Sequence, residues 1–168
     1  MMGNGMVFVG VDGGLSGGIS VLDAQGDILF LWCMPIIKGK RRDYDVQGIR
    51  DKFVFLVEQG YVLNVFLEKA LVLPVSGRLS VSSTSWCNGF FQGLCSGLGV
   101  SFEVVSPKVW QKRLFGVQEH VEAKASSIRF VQRKFPMQDF RASERALKVS
   151  DGLADATCLA FYGFLQGR

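Results

Sequence analysis

Three apolar runs crowded into the first 35 residues, MVFVGVD, GGISVLD and GDILFLWCMP, constrain the fold of this chain more than any other feature. Each is short, rich in β-branched or aromatic residues and bounded by glycine, serine or aspartate, the pattern of a strand with a turn after it. Only glycine, serine and one leucine separate the first two, and Gly26 with Asp27 marks the turn into the third, so the opening predicts an antiparallel meander. In DVQGIRDKFVFLVEQG, Val46, Ile49, Phe53, Leu56 and Val57 form a helical stripe that ends at Gly60. YVLNVFLEKA predicts a fourth strand closing on Glu68, and VSFEVVSP a fifth. Between them lie the Ser/Gly-rich PVSGRLSVSSTS and then WCNGFFQGLCSGLG, with Gly89, Gly93 and Gly97 four apart. Pro107 opens a short helix through Trp110 and Leu114, EAKASSIRFVQRKFP is amphipathic, and SDGLADATCLAFYGFL predicts a last, apolar helix. Three strands, helix, strand, helix, strand and helices predict an α/β domain: a mixed five-stranded sheet, its first three strands antiparallel, flanked by helices. At 168 residues and 48% hydrophobic content the chain suits one domain over residues 1–168 with a full core.

Several chemistries drop out. No run approaches eighteen apolar residues and the N-terminus has no targeting pattern, which predicts a soluble protein, or a trimmed mature form, with no membrane partner. Cys33, Cys87, Cys95 and Cys158 lie far apart among apolar neighbours with no CxxC, as buried free thiols do, so zinc and disulfide frameworks are not expected. His120 is the only histidine. It lies in a polar segment, has no nucleophile motif beside it, and reads as a surface or helix-capping residue. No organic cofactor is implied.

Carboxylates remain. Asp12 and Glu68 each close an apolar strand, where an isolated charge is costly to desolvate. Asp151 and Asp155, four apart on the last helix, share a face and repel one another unless a cation is near. Leu153, Ala154, Ala156, Cys158 and Leu159 turn the surroundings of Asp155 toward the protein body. Hard oxygen donors of this kind suit magnesium or manganese. Gly13, Gly14, Gly17 and Gly18 clear side chains from beside Asp12, which either admits a phosphodiester backbone or only makes a hairpin.

Charge points the same way. The net charge is +4 with pI near 9.0, and 16 of the 19 Lys and Arg fall in two windows: six within residues 38–52 and ten within residues 108–148. Such clustering suits a polyanion, or two solvated surface segments.

The ordered set VGVDGGLSGGISVLD, VFLEKA, VSPKVWQKRLFG, EAKASSIRFVQRKFP and SDGLADATCLAFYG spans nearly the whole chain and resembles the RuvC-like Holliday junction resolvases of the RNase H superfamily. The last-helix acids and the SPKVWQKRLFG block look more like the phage-type and chloroplast (monokaryotic-chloroplast type) members. The resemblance implies an RNase H-like fold, a homodimer, two divalent ions (Mg2+ or Mn2+) per active site, and paired, symmetric nicks across a four-way DNA junction. By position, Asp12 matches the first-strand metal ligand, Glu68 the fourth-strand ligand, Asp155 the acid of the final helix and Asp151 the acid or histidine one turn before it. Lys124 matches a lysine near the scissile phosphate, where it would neutralise growing charge. Two departures stand out: Gly13 replaces a proline after the first aspartate, and Asp151 stands four rather than three residues before Asp155.

In two-ion hydrolysis the metals sit about 3.5 to 4 Å apart and clamp the attacking and leaving oxygens. SGRLSVSSTSW falls where the family approaches the junction centre, making Gly77, Arg78 and Ser80 candidates for reading DNA, against an ordinary solvent loop. Lys40, Arg41, Arg42, Lys108, Lys112 and Arg113 would follow the arms. Trp86, Phe90 and Phe91 read as core or dimer contacts, with base stacking as the alternative. The Gly89, Gly93 and Gly97 face would lie against the sheet or a partner subunit.

Other readings stay open. The opening also resembles the phosphate-binding strands of sugar kinases and actin-like ATPases, but those need two such domains. A catalytically silent junction-binding protein would be expected to lack one of the four acids. A general RNase H-like nuclease differs only in substrate. Block similarity points to a processed chloroplast protein of the stroma or nucleoid, with bacterial or phage-host cytoplasm as the alternative.

Overall fold

The computed structural model describes residues 5–69, 78–116 and 123–167, with side chains from residue 85 in the second span and from residue 125 in the third. The meander forms as expected: β1 (Met6–Asp12), β2 (Gly18–Leu22) and β3 (Ile28–Cys33) pair antiparallel in sequence order. After α1 (Val46–Glu58) comes β6 (Val62–Glu68), parallel to β1, and after α2 (Arg78–Leu98) comes β7 (Ser101–Val105), parallel to β6. The sheet order is β3-β2-β1-β6-β7. This is the mixed five-stranded sheet, and α3 (Pro107–Phe115), α4 (Ala123–Lys134) and α5 (Asp151–Gln166) complete its helical cover.

Strand alternation sets two cores. Val7, Val9 and Val11 point to one face, which α1 covers with Ile49, Phe53 and Leu56 and α2 with Cys87, Phe91 and Cys95. Burying a side chain such as Phe53 contributes about 1.5–3 kcal/mol. Phe8, Leu22 and Phe66 point the other way, into Trp110 of α3, Val131 of α4 and most of α5. α5 is apolar nearly all round because it lies inside, between the sheet and α4. Its Ser150 N-cap accepts from the Leu153 amide at 3.4 Å.

One element is unforeseen and three expectations need correction. The basic segment holds a hairpin, β4 (Ile36–Ile37) with β5 (Asp43–Tyr44), whose two-residue strands carry no readable period. The serine-rich stretch from Arg78 is not a solvent loop but the first turns of α2. Serine and threonine are only modestly poorer helix formers than alanine, and the aromatic face that follows carries the helix back through them. Cys33 is exposed on edge strand β3, unlike the other three thiols. Val46 and Val57 are 40% and 39% exposed, so the buried stripe of α1 narrows to Ile49, Phe53 and Leu56.

Candidate active site

β1 and β6 are neighbours, parallel and in register through Val11 and Leu67, so the next residues, Asp12 and Glu68, close adjacent strands on the same sheet edge. Neighbouring strands lie about 4.8 Å apart. α5 is held directly on β1: a Cβ at Gly10 would strike the Ala156 carbonyl and the Ala160 backbone, and one at Gly152 would strike Ser16 and Gly17. That close approach brings the first turns of α5, with Asp151 and Asp155, to the end of β1 where Asp12 stands. Three elements distant in sequence thus bring their acids to one edge.

Glu68 reports the result. Burial, then the negative charges of Asp12 and Asp155, push its carboxyl up to about 8, while the Trp110 indole N–H, donating to Glu68 Oε1 at 3.1 Å, works in the opposite sense. Asp12, Glu68, Gly13, Gly14, Lys69, Asn88 and Pro107 line part of one cleft of about 240 Å³, whose apolar floor includes Val11, Leu67 and Phe91. Asn88 Nδ2 donates to the Glu68 carbonyl at 3.2 Å, tying α2 to the end of β6. Cys87 also faces the cleft, but burial holds its thiol up near 12, so it meets the acids as a neutral group.

Among the described residues no three acidic, histidine or cysteine side chains already close on a single ion-sized point. The chemistry of the donors nevertheless fits a hard divalent cation. They are carboxylates alone, and Glu68 is near enough to Asp12 and Asp155 to feel their charge. Asp151 opens α5 on the other side of the glycine turn, its Oδ1 accepting from the Gly152 amide at 3.1 Å.

The glycines divide by role. Cβ atoms at Gly17 and Gly18 would collide with Asp12, Gly14 and Leu153, and one at Gly13 would stand 3.0 Å from Cys87 Sγ. These bare positions serve packing from within. Only at Gly14 would an added Cβ meet nothing closer than 3.7 Å, leaving room on the cleft side.

Of the basic candidates, Lys40, Arg41 and Arg42 are exposed between β4 and β5, and Arg42 Nη1 donates to Ser16 Oγ at 3.4 Å, next to the glycine turn. Lys108 is exposed in the first turn of α3, beside the cleft-lining Pro107. Lys112 and Arg113 instead line a separate groove with Val109, Tyr162 and Gln166. Tyr162 and Gln166 lie seven and eleven residues along α5 from Asp155, about 10 and 16 Å, so this groove lies toward the other end of the helix from the acids. Other members of the basic windows are engaged internally: Arg50 with Asp51, Arg141 with Asp139, and Lys52 over the Trp32 ring. Gly77 and His120 lie outside the described residues, and Arg78, Ser80 and Lys124 fall where only the backbone is described. Phe91 is buried in the first core, whereas Trp86 is 43% exposed and stacks on both Tyr44 and Phe90. The helical face at Gly89, Gly93 and Gly97 does not rest on the sheet, for a Cβ at any of them would meet nothing within 4 Å among the described residues.

Sequence reasoning missed Lys69, Asn88, Trp110 and Tyr44. Lys69 and Trp110 stand inside the motifs VFLEKA and VSPKVWQKRLFG, so position alone could have flagged them. The contact of Trp110 with Glu68 spans 42 residues and leaves no local pattern.

No protein-family model and no curated protein matches the chain. Solved structures do. T. thermophilus RuvC in complex with Holliday junction substrate superposes with a TM-score of 0.65 at 16% identity, over 96% of this chain and 95% of that one. A second Thermus thermophilus RuvC structure gives 0.60 at 18%, over 96% of each chain. The chain therefore has the fold of RuvC, an RNase H-like α/β domain with a mixed five-stranded sheet flanked by helices.

Proposed function

We propose that this protein is a metal-dependent endonuclease that resolves four-way DNA junctions by paired symmetric cuts. The observation that carries the reading is the gathering of Asp12, Glu68 and Asp155 from three separate elements, where burial first and then the charges of the other two push Glu68 up to about 8. Mutual repulsion of this kind is what a bound cation relieves. The full-length likeness to a RuvC solved with a Holliday junction substrate supports the choice of DNA.

Asp12, Glu68 and Asp155 would hold magnesium or manganese, with Asp151 beside them. Divalent ions there supply the positive charge that hydrolysis of a phosphodiester needs. The chain's own groups do the rest. Trp110 fixes one oxygen of Glu68, and Gly14 leaves the cleft open beside Asp12. Lys69 at the cleft, and by resemblance Lys124 on α4, would offset charge building on the attacked phosphate. Lys40, Arg41, Arg42 and Lys108 would contact phosphates near the cut. Lys112 and Arg113 would meet the duplex farther along an arm, and Arg78 would read the junction centre.

Two symmetric cuts require two sites, and the proposal includes a homodimer. Its support is the face of α2 at Gly89, Gly93 and Gly97, which no described residue covers and where a second helix could approach closely. We place the protein with the chloroplast-type enzymes on block similarity, so a plastid compartment belongs to the proposal.

The test is a labelled synthetic four-way junction beside linear duplex and an RNA–DNA hybrid, with magnesium, manganese or EDTA. Symmetric nicks confined to the junction, lost by at least a hundredfold in Asp12→Asn with binding retained, are expected. Equal cutting of duplex or hybrid would make the protein a general nuclease, and junction binding with no cutting in any metal would make it a binding protein.

A further inference from the structure

The turn after Asp12 is built from Gly13, Gly14, Leu15, Ser16 and Gly17, and glycines surrender more conformational freedom on folding than any other residue. A metal ligand followed by such a turn needs bracing from elsewhere. The bracing comes from the segment between β3 and α1, which meets the turn three times. The Met34 amide donates to the Gly17 carbonyl at 3.0 Å, Arg42 Nη1 to Ser16 Oγ at 3.4 Å, and the Tyr44 hydroxyl to the Gly13 carbonyl at 2.9 Å. The Asp45 amide closes the base of this strap on the Pro35 carbonyl at 3.0 Å.

The third contact matters most, because the Gly13 carbonyl and the Gly14 amide belong to one planar peptide unit. That Gly14 amide donates to Asp12 Oδ1 at 3.3 Å. Fixing the carbonyl end of the plane therefore aims the amide end at the carboxylate. Tyr44 is itself fixed: it is 6% exposed and its ring stacks on Trp86 of α2 with centroids 4.9 Å apart. Cys87, the next residue of α2, closes on Gly13 from a different element, which is why that position accepts no side chain without displacement.

We infer that Tyr44 is a positioning residue for the metal site: its hydroxyl, held by the aromatic stack on α2, sets the Gly13–Gly14 peptide and through it the orientation of the Asp12 carboxylate. The inference rests on the metal reading proposed above.

The test is manganese titration of the full chain without DNA, followed by electron paramagnetic resonance of the free ion. Tyr44→Phe keeps the ring and its stacking and removes only the hydroxyl. Its manganese affinity is expected to fall about fivefold to tenfold, the range of a lost hydrogen bond to the Gly13 carbonyl, with faster amide exchange at residues 13–17; the hydroxyl's second bond, to the Cys87 thiol, is lost with it. Ile49→Val, a core change in α1 of comparable stability cost, separates positioning from general loosening and is expected to stay within about twofold of wild type. Unchanged affinity in Tyr44→Phe overturns the inference and leaves the proposed function standing. A wild type that binds no manganese overturns the proposed function, and this inference with it.

Discussion

Glu68 couples the protonation of this protein to its stability and to metal binding. With its carboxyl near 8 in the folded chain and near 4.5 when unfolded, the folded form carries the extra proton between those values. Raising the pH through that window therefore destabilises the metal-free protein, by up to about 1.4 kcal/mol per pH unit from this group. Urea titrations in EDTA should show wild type losing stability relative to Glu68→Gln from pH 5 to pH 8, with the difference levelling above that. A cation that captures the carboxylate must displace the proton. Calorimetric titration with manganese at pH 7, in buffers of different ionisation enthalpy, should reveal release of close to one proton that Glu68→Gln does not give. Trp110→Phe removes the indole donor that favours the charged carboxylate, so the pH midpoint of metal binding should move upward and affinity at pH 7 should fall several-fold.

At the scale of elements, the decisive relation is α5 lying on β1. Gly10→Ala would place a methyl group against the backbone of Ala156 and Ala160, which cannot rotate away. A cost of about 1–3 kcal/mol in chemical denaturation is expected, with a larger proportional loss of metal affinity, because Asp155 is displaced from Asp12 and Glu68. The acids were legible in the sequence because each breaks a local rule: Asp12 and Glu68 end apolar strands, and Asp155 sits in an apolar helix. The strands were legible too, since each carries its own period. The β4–β5 hairpin was not, because two residues make no period. The helical start of α2 was hidden by serines whose local preference is for turns and caps. Tyr44 and Trp110 owe their roles to contacts 31 and 42 residues away, which no local pattern encodes.

For the whole molecule, charge and symmetry set the expectations. If Lys40, Arg41 and Arg42 meet phosphates, Arg41→Ala with Arg42→Ala should reduce the slope of log affinity against log salt by about 2 for junction DNA. Lys112→Ala with Arg113→Ala should matter for long-armed junctions and little for short-armed ones, because that pair lies toward the far end of α5. Gly93→Arg on the open face of α2 should give monomers in light scattering and uncouple the two nicks while a single nick persists. A last consequence follows from the burial of α5 along its length. The helix that delivers two of the four acids is also the central pillar of one core, so those acids cannot be released by local melting that leaves this core standing. On warming, cutting and global structure should vanish together, with no long-lived population that is intact in shape yet silent.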